Sequence, residues 1–200
     1  MTVQDAPARK GPSDPAASAL DPLRRRAIEA MAASVAERGY ARTTVADVLR
    51  LAGMSRRTFY RIYQNREECF LDTYAVVSDE ALAHITRSSG PGSGECEGIE
   101  EPLRAVLEYL ASRPAHAHVL VTEPVSAGGQ SVERHAATLG AFRDRLQPVL
   151  VAGGGSDRMA STAAVGAVYH VIQRHLWDGE ASDLPALAPD LARLVGRLAA

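Results

Sequence analysis

The sequence predicts an all-α fold in two parts: a three-helix unit with a helix-turn-helix at residues 21–66, and a larger helical domain at residues 67–200. Three observations carry this. Every apolar stripe recurs at i, i+3, i+4 and i+7, and no segment alternates as a strand does. The stretch Met54 to Glu68 holds four arginines and two tyrosines around a short helical period. Six of the chain's ten aromatic residues (Tyr40, Phe59, Tyr60, Tyr63, Phe70 and Tyr74) lie between positions 40 and 74, as a unit of roughly 50 residues needs if it is to close its own small core.

Residues 1–20 are rich in Ala, Pro, Asp and Ser and read as a disordered arm. They have no apolar h-region, and no run reaches the length of a membrane span, so a cytoplasmic protein without membrane contact is expected. The first helix runs from Arg24 to Arg38, with Ala27, Ile28, Met31 and Val35 on one stripe, and Gly39-Tyr40 stops it. Val45, Val48, Leu49 and Ala52 mark a second short helix, for which Thr44 and Asp47 form a capping box and Gly53 supplies the turn. In the third, counting about 100° per residue puts Ile62 and Tyr63 on the face of Phe59, while Arg57 and Arg61 point away and Thr58 and Tyr60 sit on the shoulders. One face packs and the other is free to touch a partner. Two short helices joined by a Gly-containing turn, the second rich in arginine, form the motif whose second helix enters a DNA major groove.

Asn65 and Glu68 cap a fourth, longer helix, with Phe70, Leu71, Tyr74, Val77 and Ala81 as its inner stripe. The run Ser88 to Gly94 is a loop. Further helices follow at Pro102 to Ser112, in a short apolar piece at Ala117 to Val121, and at Val132 to Val151, Ser156 to Trp177 and Pro189 to Ala199. Leu184 to Ala188 is a separate turn, because Pro185 and Pro189 do not both fit inside one regular helix. Gly153 to Gly155 punctuates the chain; no Lys-Ser/Thr follows it, as a phosphate loop requires.

Charge divides along the same boundary. Residues 21–66 carry ten arginines against four acids, a balance of +6, and residues 67–200 carry ten against eighteen, a balance of −8; the near-neutral total of −2 hides this polarity. A cationic head steers toward phosphates, while an acidic body resists smearing along them.

The order Thr43-Thr44-Val45-Ala46-Asp47-Val48, then Ala52-Gly53-Met54-Ser55-Arg56-Arg57-Thr58-Phe59-Tyr60, then Asn65-Arg66-Glu67-Glu68 resembles the N-terminal domain of the TetR family of bacterial regulators. The likeness spans about residues 21–75. It implies that Arg56, Arg57, Thr58 and Tyr60 face bases or the adjacent backbone, that Thr44 lies near a phosphate and that Arg66 meets another. With Arg61, these form the expected DNA-binding set. Tyr63 stands where the family usually has Phe, and Arg66 where it usually has Lys; size or charge is kept in both. The resemblance implies a transcriptional regulator acting on double-stranded DNA with a palindromic operator, as a repressor released by a small-molecule effector. A DNA-binding regulator or activator without an inducer is the alternative.

The small residues Ala160, Ala163, Ala164, Gly166 and Ala167, together with Leu187, Leu191, Leu194 and Leu198, suggest a homodimer through the last two helices. Tyr74, Tyr109, His118, Phe142, His170 and Trp177 are the candidates for a ligand pocket. Neither His116 with His118 nor His170 with His175 has a third ligand at usable spacing, so no metal is expected. Cys69 and Cys96 read as reduced thiols. No nucleophile elbow, nucleotide loop or telling carboxylate pair is present, so neither enzymatic activity nor a cofactor is expected.

Overall fold

The computed structural model describes residues 22–88, 99–123, 128–152 and 158–199, and all described elements are helical. Side chains are not described at residues 88, 145–152, 158 and 199. The expected N-terminal arm, the loop after Ser88, Cys96 and the Gly153 to Gly155 run lie outside the described residues, as do the side chains of Leu146 and Val149.

α1 (Pro22–Arg38) buries the predicted stripe of Ala27, Ile28, Met31 and Val35. A 3-10 turn, Tyr40–Arg42, follows Gly39, whose φ of 76° lies in the left-handed region that suits glycine. α2 (Val45–Ala52) starts from a complete capping box: the Asp47 amide donates to Thr44 Oγ1 at 3.2 Å, and the Thr44 amide donates to Asp47 Oδ2 at 2.9 Å. These bonds satisfy two otherwise orphaned amides, and the Thr44 hydroxyl, donating to Asp47 Oδ2 at 2.6 Å, together with the Thr44 amide holds the Asp47 carboxyl below its usual range. Gly53 ends α2 in the left-handed conformation, and α3 (Arg56–Ile62) begins from the Ser55 cap.

α4 (Arg66–Ser88) is the central strut. Its start is fixed by the Glu68 amide on Asn65 Oδ1 at 2.8 Å and the Gln64 amide on Glu68 Oε2 at 2.6 Å. Phe70, Leu71, Tyr74, Val77 and Ala81 are all buried. α4 packs on α1 in the head and on α5 (Glu100–Ser112) in the body, where Leu103, Val106, Leu107 and Leu110 fill the shared core.

The apolar piece expected at Ala117 to Val121 is more irregular than a helix. α6 (Pro114–Ala117) opens with Pro at its first turn and widens into a π-helical turn, His118–Thr122, closed by the Glu123 amide on the His118 carbonyl at 3.2 Å. α7 is Gly129–Ala152 and α8 is Arg158–Trp177. A 3-10 segment, Ala181–Leu187, takes in Pro185 as the separate turn, and α9 is Ala188–Ala199. The expected leucine stripe of α9 divides: Leu191 is buried with Val195 against the same chain, while Leu194 and Leu198 are exposed. In α8 the small residues divide likewise, with Ala164 buried and Ala163 and Gly166 facing out. Among the described residues, no helix is long and apolar enough to cross a membrane.

Candidate functional site

The outer face of the head is built from α3. Phe59 is fully buried and Tyr63 nearly so, with ring centroids 5.5 Å apart, so α3 is pinned by its inner face and cannot roll. Arg56, Arg57 and Arg61 are consequently exposed together with Tyr60, whose ring meets Phe59 edge-on at 5.4 Å. Thr58 is half-buried and turned back to its cap: its amide donates to Ser55 Oγ at 3.1 Å, and the two hydroxyls lie 2.8 Å apart. Thr44 is exposed at the start of α2. The rim therefore presents several cationic and hydroxyl groups on a rigid base.

Arg66, which the resemblance sets near a phosphate, has partners within the chain. It is half-buried, with Nη1 donating to the Thr43 carbonyl at 2.5 Å and to the Tyr40 carbonyl at 3.3 Å, and its Cζ lies 4.2 Å from the centre of the Tyr40 ring. It ties the start of α4 to the turn before α2.

Two polar networks fasten this head to the body. Asp72 of α4 accepts from Arg24 of α1, Nε at 2.8 Å, and from the Tyr63 hydroxyl at 2.7 Å. Burial pushes the Asp72 carboxyl up, but the hydrogen bonds from Arg24 and Tyr63 outweigh it and hold the group below its usual range. Farther along α1, Glu29 meets His116 Nε2 at 3.1 Å; His116 Nδ1 lies 2.9 Å from the Tyr109 hydroxyl, which donates to Glu80 at 3.1 Å. Arg113 stands 3.6 Å from Glu29 and 3.8 Å from Glu80, completing a bridge across α1, α4, α5 and α6.

Within the body, a cavity of about 70 Å³ opens between α4, α5, the π-helical turn, α7 and α8. Of the six predicted pocket residues, Tyr74 and Phe142 line it. The other four do not. Tyr109 belongs to the bridge just described, because its hydroxyl points to Glu80 and His116 rather than inward. His118 is held by Thr122 on its own turn at 3.1 Å. His170 is exposed, and Trp177 is 58% exposed. His135, Thr138 and Tyr169 also line the cavity and were not among the candidates: the first two lie seven and four residues before Phe142 on α7, and Tyr169 is the neighbour of His170 on α8.

Cys69 is buried, and loss of water pushes its thiol up to about 12, so it is unreactive packing.

Residues 27–73 match the family described as "Bacterial regulatory proteins, tetR family". Over 75 residues the chain is 31% identical to an uncharacterized HTH-type transcriptional regulator, YxbF, of Bacillus subtilis; the match takes in 38% of this chain and spans 20% of that protein's length. Similar solved structures include the fatty acid degradation regulator FadR from Bacillus halodurans (TM-score 0.80, 18% identity, 90% of this chain and 97% of that one). A bacterial regulatory protein in the tetR family from Rhodococcus RHA1 aligns with TM-score 0.74 and 19% identity, over 90% and 97% of the two chains. The transcriptional regulator FadR from Bacillus subtilis, solved in complex with stearoyl-CoA, aligns with TM-score 0.68 and 20% identity over 86% and 96%.

Proposed function

From the match of residues 27–73 to the tetR family of bacterial regulatory proteins, we propose that the chain is a regulator of that family: a homodimeric, sequence-specific DNA-binding repressor that a small molecule releases from its operator. The observation that carries this is the rigid α3 rim: Phe59 and Tyr63 anchor the helix inward while Arg56, Arg57, Tyr60 and Arg61 stand exposed on a head whose balance is +6. In this reading residues 1–20 form an arm, 21–66 the DNA-binding head and 67–200 the effector-binding and dimerisation body. Arg56 and Arg57 read guanine edges, while Thr44, Tyr60 and Arg61 contact phosphates. Arg66 supports the phosphate-facing turn from behind through its bonds to Tyr40 and Thr43.

A single short recognition helix covers few base pairs, so two heads must engage half-sites about 34–36 Å apart, or a multiple of that spacing. The exposed apolar side chains Trp177, Leu194 and Leu198 on α8 and α9 support pairing through those helices. The effector half of the reading is supported by the body cavity and by the fold shared with a regulator solved with stearoyl-CoA. Its mechanism is a shift in head spacing, with coupling of about 1–3 kcal/mol between the two sites.

The test is binding to DNA from the flank of the protein's own gene, across a salt series and against non-specific competitor. Arg57→Ala is expected to flatten the preference among operator variants by about 1–3 kcal/mol at one base pair. Loss of salt-dependent affinity alone, with the ranking of operators intact, would show that Arg57 reads no base.

A further inference from the structure

The walls of the body cavity say what kind of molecule belongs in it. Most are aliphatic, including Leu103, Leu110, Val165 and Ile172, and among the described lining residues there is no Lys, Arg, Asp or Glu. A carboxylate or phosphate lodged there would lie in a low-dielectric site without a counter-charge among the described lining residues, which costs far more than burying a neutral polar group.

Polar atoms are concentrated at one station. The Tyr74 hydroxyl lies 3.0 Å from His135 Nδ1, and Thr138 Oγ1 donates to Ser78 at 3.5 Å on the same wall. Tyr169 also lines the cavity, but its hydroxyl is already spent on the Val121 carbonyl. Loss of water pushes the Tyr74 phenol above its usual value and His135 below its own, so both are uncharged near neutral pH. The station offers a neutral donor and a neutral acceptor and nothing ionic. The volume, about 70 Å³, is far below the roughly 300–1,000 Å³ of a drug-sized site, so the occupant is compact.

Resting on the effector reading above, we propose that the cavity takes a small, uncharged hydrocarbon carrying one hydrogen-bonding oxygen, of the alcohol, ketone or phenol class. The oxygen exchanges into the Tyr74–His135 bond, and the hydrocarbon lies against Leu103, Leu110 and Val165. Acids and coenzyme A thioesters are excluded from the site by this chemistry.

The test is calorimetric titration of the full chain with cyclohexanol, cyclohexane, cyclohexanecarboxylate and hexanoyl-CoA at pH 7.5. Cyclohexanol is expected to bind tightest, cyclohexane about two- to tenfold more weakly for want of one hydrogen bond, and the carboxylate and thioester more weakly still. Tyr74→Phe and His135→Leu should each bring cyclohexanol down to the cyclohexane level. Unchanged cyclohexane affinity in those variants shows that the cavity is still folded. Tighter binding of the carboxylate or of hexanoyl-CoA overturns the proposal but leaves the effector reading standing. If none of the four binds a protein that still binds its DNA, the effector reading fails and this inference falls with it.

Discussion

Replacing Arg66 with Ala should destabilise the protein in the complete absence of DNA. The guanidinium is part of the internal structure: one nitrogen bonds the Thr43 carbonyl at 2.5 Å and the Tyr40 carbonyl at 3.3 Å, and Cζ lies 4.2 Å from the centre of the Tyr40 ring. A hydrogen bond from a charged donor contributes about 1.5–3 kcal/mol, and a cation over an aromatic face at a part-exposed site about 0.5–1 kcal/mol. The two carbonyls share one nitrogen and are counted once, so the expected loss is about 2–4 kcal/mol. For a chain of this length that lowers the melting temperature by about 4–16 °C, at about 2–4 °C per kcal/mol. Arg66→Lys keeps the charge but not the planar stacking and should recover roughly half of the loss. The assay is urea and thermal unfolding followed by far-ultraviolet circular dichroism at fixed protein concentration, without nucleic acid. A loss below about 0.5 kcal/mol, the range of an ordinary surface substitution, would refute the reasoning and return Arg66 to the role of a plain phosphate contact.

Gly53→Ala should cost about 1–2 kcal/mol, because its φ of 57° is left-handed and penalises a Cβ; an added Cβ would also stand 3.0 Å from Arg26 Nη2, which donates to the Gly53 carbonyl at 2.8 Å. Unfolding of Gly53→Ala within 0.3 kcal/mol of the parent, taken as about the measurement error, would count against this account. Asp72 has its folded-state pKa depressed, so its contribution is present above the ordinary carboxylate pKa and is lost as pH falls through the lower, folded value. Stability measured from pH 7 down to about pH 2 should therefore show a shallower acid decline in Asp72→Asn than in the parent; parallel curves would mean that the Arg24 and Tyr63 bonds contribute nothing net.

The head was legible because each of its elements is announced by local chemistry. Thr44 with Asp47 three residues on, Gly53 at the stop, and Phe59 and Tyr63 on one face are all signals within a few residues of each other, and the structure uses each as read. Arg66 was not legible in the same way. Its exposure depends on where the Tyr40 ring and the Thr43 carbonyl fall more than twenty residues upstream, a contact made only once the turn Tyr40–Arg42 packs beside α4. The cavity suffered most. Tyr109 and Phe142 look alike as aromatic residues on apolar stripes, yet one faces a polar bridge and the other the void. Which way each turns is set by the packing of α5 on α4 and α6 and of α7 on α4 and α8, which no periodicity within a single helix specifies.

The wiring between head and body follows from the two polar networks taken together. α1 is a head helix by its buried stripe, but it is fastened to body elements at two separated points: Arg24 to Asp72 of α4, and Glu29 to His116 of α6. A helix held at two points on a rigid partner cannot pivot against it without breaking one of them. α4 carries both Asp72 at the head end and Tyr74 in the cavity wall two residues later. Any rearrangement of the Tyr74 station is therefore felt one helical turn or less from the carboxylate that positions α1 and Tyr63, and Tyr63 sets the seat of α3 through Phe59. The distance from cavity wall to α3 is thus spanned by four side chains: Tyr74, Tyr63 and Phe59 belong to the buried core, and the part-buried Asp72 lies between Tyr74 and Tyr63 along the path.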